Sequence, residues 1–297
     1  MKFSTKAKER FQAESAQFIE QAIKEFARTS PLNRMPFIKD DNIFDEPLVK
    51  FADGDEPIFT EYQTIIHPTH LTPREALAET FNKSPEDILA RLSVISWVLP
   101  FTSKIRESNR RHKLTPSRLW LNAYLYGEKF NDALREHVVE LLTEMGYLAV
   151  APVIQPYFKK EYRPVNEKAP YSNWSERHIA YVAGLGTFSL SDGFITERGI
   201  AHRCGSVVTD LMLPVSPRTA ENPYSNCLFY IDGSCKVCIA RCPVGAISEN
   251  GHDKIKCLDK LRLSEKYKAG TLACGLCQTK VPCEFRNPAK KLSKKTK

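Results

Sequence analysis

The first two-thirds of this 297-residue chain has no cysteine at all: residues 1–203 hold none, and all nine fall between Cys204 and Cys283. A disulfide framework running through the fold is thereby excluded, and the chain is far too long for a small disulfide scaffold. Long apolar runs are missing as well. The best, Val94 to Phe101, falls short of the ~18–20 residues that span a bilayer, so no membrane partner is expected. The N-terminal stretch from Met1 to Phe26 has neither an apolar core segment nor a twin-arginine pair, so no export signal is expected there. A cytoplasmic location follows as the expectation, and in that compartment thiols stay reduced. There is no Walker loop, no G-x-S-x-G and no H-E-x-x-H, which removes the usual signatures of nucleotide hydrolases, serine hydrolases and zinc proteases.

What is present is an ordinary globular composition, 42% hydrophobic and 26% charged, enough to bury a core. The formal net charge is +8, but the last eight residues, Lys290 to Lys297, carry five lysines and the remainder is only +3. The tail is read as solvated and disordered. No nucleic-acid motif accompanies it, so nucleic acid is not expected as a partner.

Four regions are expected. Residues 1–84 look like a helical and loop-rich extension. A helix over 5–28 carries Phe11, Phe18, Ala22 and Phe26 on one stripe, followed by a proline-punctuated stretch with little periodicity. Thr72-Pro73-Arg74-Glu75 is a capping box, and Ser84-Pro85-Glu86-Asp87 opens a second helix in the same way. Residues 85–215 alternate strands and helices in an α+β arrangement. Val94 to Leu99 is a buried strand, Leu134 to Met145 a helix stopped by Gly146, Leu148 to Val153 a strand, 173–183 a helix and Ser206 to Met212 a strand. Residues 216–288 hold the cysteines, and 289–297 form the basic tail.

The cysteines carry the strongest signal. Cys235-x2-Cys238-x3-Cys242-Pro243 is the last part of the bacterial ferredoxin run C-x2-C-x2-C-x3-C-P, with Cys227 displaced upstream by an insertion. A second set follows: Cys257, Cys274, Cys277 and Cys283. In two-cluster ferredoxins the fourth cysteine of such a run serves the other cluster. By that rule Cys227, Cys235, Cys238 and Cys283 hold one 4Fe–4S cluster, and Cys242, Cys257, Cys274 and Cys277 hold the other. Zinc is the competing reading, but 35 residues separate Cys238 from Cys274 where zinc ribbons use ~15–20. Zinc would also leave four cysteines unexplained. Cys204 is read as a small buried hydrophobe. The aromatic stretch from Tyr157 to Trp174 lines either a pocket or the core. Gly184-Leu185-Gly186 follows a helix rather than a strand, which argues against a dinucleotide fingerprint. His178 and His202 flank it.

Several segments resemble epoxyqueuosine reductases in their order along the chain: Val94 to Phe101, Leu119 to Tyr124, Glu176-Arg177-His178-Ile179-Ala180, and Ala183-Gly184-Leu185-Gly186, followed by the eight-cysteine segment. Phe194 to Gly199 and Val207 to Leu211 look closer to the corrinoid-dependent reductive dehalogenases. This resemblance implies a nitroreductase-like corrinoid-binding domain joined to a ferredoxin-like domain with two 4Fe–4S clusters. It implies electrons passing from a low-potential ferredoxin or flavodoxin, through the clusters, to cobalt, for reduction of a small-molecule substrate. The corrinoid would lie against Ala183, Gly184, Leu185 and Gly186, where absent side chains permit close approach. Where epoxyqueuosine reductases carry a catalytic aspartate several residues before Glu-Arg, this chain has Pro170 and Tyr171. Tyr171 is the expected proton donor, with Tyr162 and Asp192 behind it, and Arg177 is the cation that would assist it. A non-catalytic electron carrier and a corrinoid-handling protein are the alternative functions.

Overall fold

The computed structural model describes residues 5–162, 169–266 and 271–291. The tail beyond Lys291, where disorder was expected, lies outside them. The chain begins with α1 (Thr5–Ala13) and α2 (Ser15–Thr29). The single helix expected over 5–28 is two helices, because Glu14 leaves the helical region with φ −140° and ψ 51°. The inward stripe of α2 is Ile19, Ile23 and Ala27. Phe18, Ala22 and Phe26 pack beside it, only partly covered.

After a small hairpin, β1 (Arg34–Met35) and β2 (Ile38–Asn42), comes β3 (Leu48–Asp53). That strand was not expected, since prolines interrupt its surroundings and its own six residues are mixed in character. Next are α3 (Ile58–Ile65), α4 (Pro73–Thr80) and β4 (Ser93–Pro100). The capping box of α4 forms as expected. Thr72 Oγ1 accepts from Glu75 N at 3.2 Å and Glu75 Oε2 accepts from Thr72 N at 2.7 Å. The analogous Ser84 sequence makes only a 3-10 turn, Pro85–Asp87.

The centre is a four-stranded antiparallel sheet completed by β5 (Ala149–Val150) and β10 (His202–Thr209), in the order β3-β4-β10-β5. The strand expected over 148–153 shrinks to the two residues of β5, because Pro152 starts a turn. All eight residues of β4 are buried. Its side chains alternate between two cores. Ile95, Trp97 and Leu99 join α2 and α6 (Arg118–Glu144) on one face, while Val94 and Val98 join α3, α4 and α7 (Glu176–Val182) on the other. Burial of those five side chains contributes on the order of 10 kcal/mol before entropy is counted. A sheet covered on both faces explains why β4 reads as an apolar run without polar alternation, interrupted only by Ser96.

Helix α6 is the longest element at 27 residues. Ser117 caps it by accepting from Trp120 N at 3.0 Å, and Gly146 ends it with φ +94°, as its position predicted. Gly205 faces Trp97 across the sheet, and a Cβ there would lie 2.4 Å from the indole, so only glycine fits. Two further strand pairs complete this part: β6 (Lys160–Glu161) with β7 (Tyr171–Ser172), and β8 (Gly186–Phe188) with β9 (Phe194–Thr196).

The cysteine-rich segment is built from short pieces: α8 (Leu228–Asp232), α9 (Val237–Arg241), β11 (Ile247–Ser248) paired with β12 (Gly251–His252), and α10 (Lys254–Arg262). It is bolted to the larger part through α5 (Ser103–Arg110). Asn109 Nδ2 donates to Cys274 O at 3.3 Å and to Thr279 Oγ1 at 3.2 Å. Glu284, 1% exposed, is held by Arg110 at 2.8 Å and Arg106 at 3.5 Å. Gly275, at φ +65°, lies against Trp120, where a Cβ would come within 2.1 Å of the ring. Ile200 N donates to Cys283 O at 2.8 Å, and Ala201 N to Glu284 O at 3.2 Å. The mixed helix and sheet architecture expected from the sequence is therefore present.

Candidate metal centre and adjoining cleft

The fold sorts the eight downstream cysteines into two groups. Cys227 sits at the N-terminal boundary of α8, Cys238 within α9 and Cys283 on the strap that bonds to Ile200. Burial first, then the neighbouring thiols of Cys227, Cys238 and Cys235, push Cys283 up. Burial, Cys227 and Cys235 push Cys238 up to about 11. Those four are thus mutual neighbours. Cys257, in α10, is pushed up to about 12 by burial and then by Cys274 and Cys242. Cys277 is raised by burial and then by Cys274, Cys257, Cys238 and Cys242. That is the second set of four, with Cys238 near enough to link it to the first.

Local geometry explains the crossing. Cys242 ends α9 in an extended conformation, φ −79° and ψ 111°, as a residue before proline prefers. It is carried out of the helix that holds Cys238, and its Sγ accepts from Ala246 N at 3.2 Å. A small enclosed space is lined by Cys227, Cys235, Cys238, Cys277 and Cys283, with Ile195, Ile200, Leu228 and Val281 around them. All nine cysteines are free thiols. Among the described residues no three His, Cys, Asp or Glu side chains converge as the ligands of one ion do. A cubane is itself several ångströms across and takes its thiolates further apart. The donor set and its spacing fit 4Fe–4S clusters.

Cys204 stands apart on β10, 8% exposed. Burial pushes its thiol up to about 12. His202 Nε2 bonds to Phe194 O at 2.7 Å, so that nitrogen carries the proton and Nδ1 is free to accept from Cys204 Sγ at 3.6 Å.

A cleft of about 1050 Å³ opens beside the first cysteine group. Its floor is Leu48 to Lys50 of β3 and Gly184 to Thr187, and its far wall is Asn222 to Asn226 with Tyr230. Tyr224 and Tyr230 lie ring to ring at 4.3 Å, and Tyr230 N donates to Cys227 O at 3.0 Å. Lys50 Nζ donates to Gly184 O at 2.7 Å, and burial pulls its pKa down. Lys24 pairs with Glu20 and Glu46, and Lys290 with Glu197.

Of the residues expected to cradle a corrinoid, Ala183 to Gly186, the last three border this cleft on one side, and the two glycines pack against the chain's own backbone on the other. The space beside Gly184 is taken by Pro217 O, 2.7 Å from where a Cβ would be, and that beside Gly186 by Ile195 O at 2.3 Å. Ala183 is wholly buried and Leu185 nearly so. On the side where a Cβ would stand, these glycines admit the chain's own backbone.

The expected proton donor and its cation have separate partners. Tyr171 lies flat on His67, ring centroids 3.6 Å apart. Arg177 is exposed and donates to Asp192 O. The Asp192 carboxylate accepts from His252 Nδ1 at 3.1 Å, across the seam between the two parts. Tyr162 is 39% exposed. Within 157–174, Trp174 is core, donating to Ser206 Oγ at 3.0 Å, while 163–168 lie outside the described residues.

Sequence reasoning missed a buried charge network under β10. Arg135, 1% exposed, reaches Asp132 at 2.6 Å, Glu176 at 3.0 Å and Glu128 at 3.3 Å. Burial would push Glu128 up, but Arg203 and Arg135 outweigh it and hold it down at about 2. Glu176 is raised by burial despite Arg135, and Ser206 Oγ donates to it at 2.6 Å. The available signal was Asn131 and Arg135, polar residues on the same helix face as Leu134 and Val138.

The fold is a cysteine-rich module docked on a mixed α/β layer, with a cleft beside it. More particularly, the chain is similar to epoxyqueuosine reductases. No family model matches it. The epoxyqueuosine reductase of Aliivibrio fischeri is 26% identical over 178 residues, which are 59% of this chain and 40% of that protein. The chain thus spans well under two-thirds of the curated relative it matches. Two solved structures are also similar. One is an epoxyqueuosine reductase from Bacillus subtilis with its catalytic aspartate loop swung out of the active site, at 14% identity and TM-score 0.44, covering 91% of this chain and 66% of that one. The other is an epoxyqueuosine reductase with an epoxyqueuosine-modified tRNA stem loop, at 16% identity and TM-score 0.44, covering 90% and 66%. That complex overturns the expectation of a small-molecule substrate with nucleic acid an unlikely partner. These matches bear on the epoxyqueuosine reductase side of the resemblance, and the dehalogenase side rests on residues 194–211 alone. No helix among the described residues is long and apolar enough to cross a membrane.

Proposed function

We propose that this chain is an iron–sulfur reductase that delivers electrons from two 4Fe–4S clusters to a substrate borne on nucleic acid. Cys227, Cys235, Cys238 and Cys283 ligate one cluster; Cys242, Cys257, Cys274 and Cys277 ligate the other. The observation that carries this reading is the falling of eight free thiols into two neighbouring sets of four. The clusters supply one-electron steps when bound. Reducing an epoxide with loss of its oxygen as water takes two electrons and two protons, which a pair of such clusters matches.

The chain's own residues position the substrate. The cleft beside Cys227 presents the partly buried Lys50 ammonium and the Tyr224–Tyr230 pair. A cation for phosphate and an aromatic surface for a base are what nucleic-acid sites use. A plain electron carrier would have no use for a cleft of this size next to a cluster ligand.

Anaerobic reconstitution is expected to give about eight irons per chain. Cys238→Ser is expected to lose one cluster's signal and about half the iron, while Cys204→Ser keeps both. Four irons in the wild type would remove the two-cluster reading. For the substrate, an epoxyqueuosine-modified stem loop is incubated with the reconstituted chain and dithionite. Conversion to the deoxygenated nucleoside is expected; an intact eight-iron protein that neither binds nor converts the stem loop would refute the nucleic-acid assignment.

A further inference from the structure

Arg241 lies between Cys238 and Cys242 in sequence, and its side chain turns back onto the loop of the second cysteine set. Its Nε donates to Leu276 O at 3.1 Å and Thr279 O at 3.0 Å. One terminal nitrogen reaches His112 O at 2.9 Å, and the other lies 3.5 Å from both Asn109 O and Thr279 Oγ1. Every one of these partners is a neutral carbonyl or hydroxyl. Among the described residues no carboxylate forms an ion pair with Arg241. Glu284, the nearest acid acting on it, is already committed to Arg110 and Arg106.

The guanidinium is therefore a full positive charge fixed on the backbone that carries Cys277, beside Cys274 and one residue from Cys242. The same fork ties that backbone to the end of α5, so the charge cannot swing into solvent. Lys260, one turn after Cys257 on α10, adds a second charge near Cys274. Beside the first set the described charges are paired: Lys236, next to Cys235, with Glu249, and Glu284, next to Cys283, with its own arginines.

We propose that Arg241 raises the reduction potential of the cluster held by Cys242, Cys257, Cys274 and Cys277, making it the more easily reduced of the two. The inference rests on the two-cluster reading above. A reduced cluster carries one more negative charge than the oxidised one, and a fixed cation at short range in a partly dry site favours that state. Because the charge is held by carbonyls alone, its field is not cancelled locally.

The test is a dithionite titration of the reconstituted chain, followed by electron paramagnetic resonance, with iron counted in every sample. Arg241→Gln is expected to retain about eight irons and to lower one midpoint, weakening reduction about tenfold, ~59 mV for one electron, with the other midpoint unmoved. Arg241→Lys keeps a charge and is expected to restore most of the shift, which a purely structural role would not do. Lys260→Gln is expected to lower the same midpoint by a smaller factor. Arg241→Met, a second neutral variant, serves if Arg241→Gln does not fold, and eight irons with both midpoints unmoved in the neutral variant overturn the role of Arg241. A wild type with far fewer than eight irons overturns the cluster reading itself.

Discussion

Arg135→Ala is expected to destabilise the protein by about 3–5 kcal/mol, a large part of the 5–15 kcal/mol that a domain typically has. The guanidinium is 1% exposed and serves three carboxylates at once, Asp132, Glu176 and Glu128. Removing it leaves Glu176 buried without its cation, in a place where burial already raises its pKa. Arg203 still serves Glu128, so the loss falls mainly on Glu176. The cost comes from an orphaned charge rather than from a lost attraction. Arg135→Met combined with Glu176→Gln is therefore expected to recover much of the loss, a coupling that a double-mutant cycle in urea resolves. A shift of less than about 1 kcal/mol for Arg135→Ala alone would show that this network is not a stabilising centre.

Acid is the second strong perturbation expected. Burial lowers His70 and His202 to about 4 and His178 to about 3. Unfolded, each titrates near 6.5. Between about pH 6.5 and 4 the unfolded chain thus binds more protons than the folded one, and stability falls as pH falls. Each fully buried histidine contributes up to ~1.4 kcal/mol per pH unit in that window. His178 and His202 retain some solvent contact, and Glu176, raised by burial, works the other way. The expected net loss from pH 7 to 5 is still on the order of a few kcal/mol. The geometry agrees. Ser175 N donates to His70 Nε2 at 3.1 Å, which requires that nitrogen to be unprotonated. Urea midpoints at the two pH values measure the effect. His178→Gln should reduce the difference by roughly a third, since one of three groups is removed. Equal midpoints at pH 7 and 5 in the wild type would show that the three rings are not held neutral.

Legibility in the sequence followed the range of the interactions. The α4 cap, the Gly146 stop and strand β4 depend on residues close in the chain or on burial of a continuous apolar run, and each appears where expected. Strand β3 did not announce itself, because it forms only by pairing with β4, already buried on both faces. The helix expected over 173–183 shortened to Glu176–Val182, since Asn173 and Trp174 are spent on side-chain bonds to Lys159 and Ser206. At the site, Tyr171 and Arg177 looked related because they are six residues apart, yet stacking on His67 takes one and Asp192 the other.

The sequence by itself determined how the cysteines are grouped along the chain. Spacing within a run and a proline after its last member are local facts, and they restrict which thiols share a loop. The free-standing character of Cys204 was legible for the same reason. Only the tertiary structure decided what surrounds those thiols. The Gly184–Gly186 segment proved to pack on one side against residues 217–218 and β9, where its lack of side chains lets backbone approach backbone, while it borders the cleft on the other. Arg241 acquired its place beside the second cysteine set by bonding to residues up to 132 positions away. Charge and space at a site are sums over everything that folds against it, and the sequence does not order those contributions by distance.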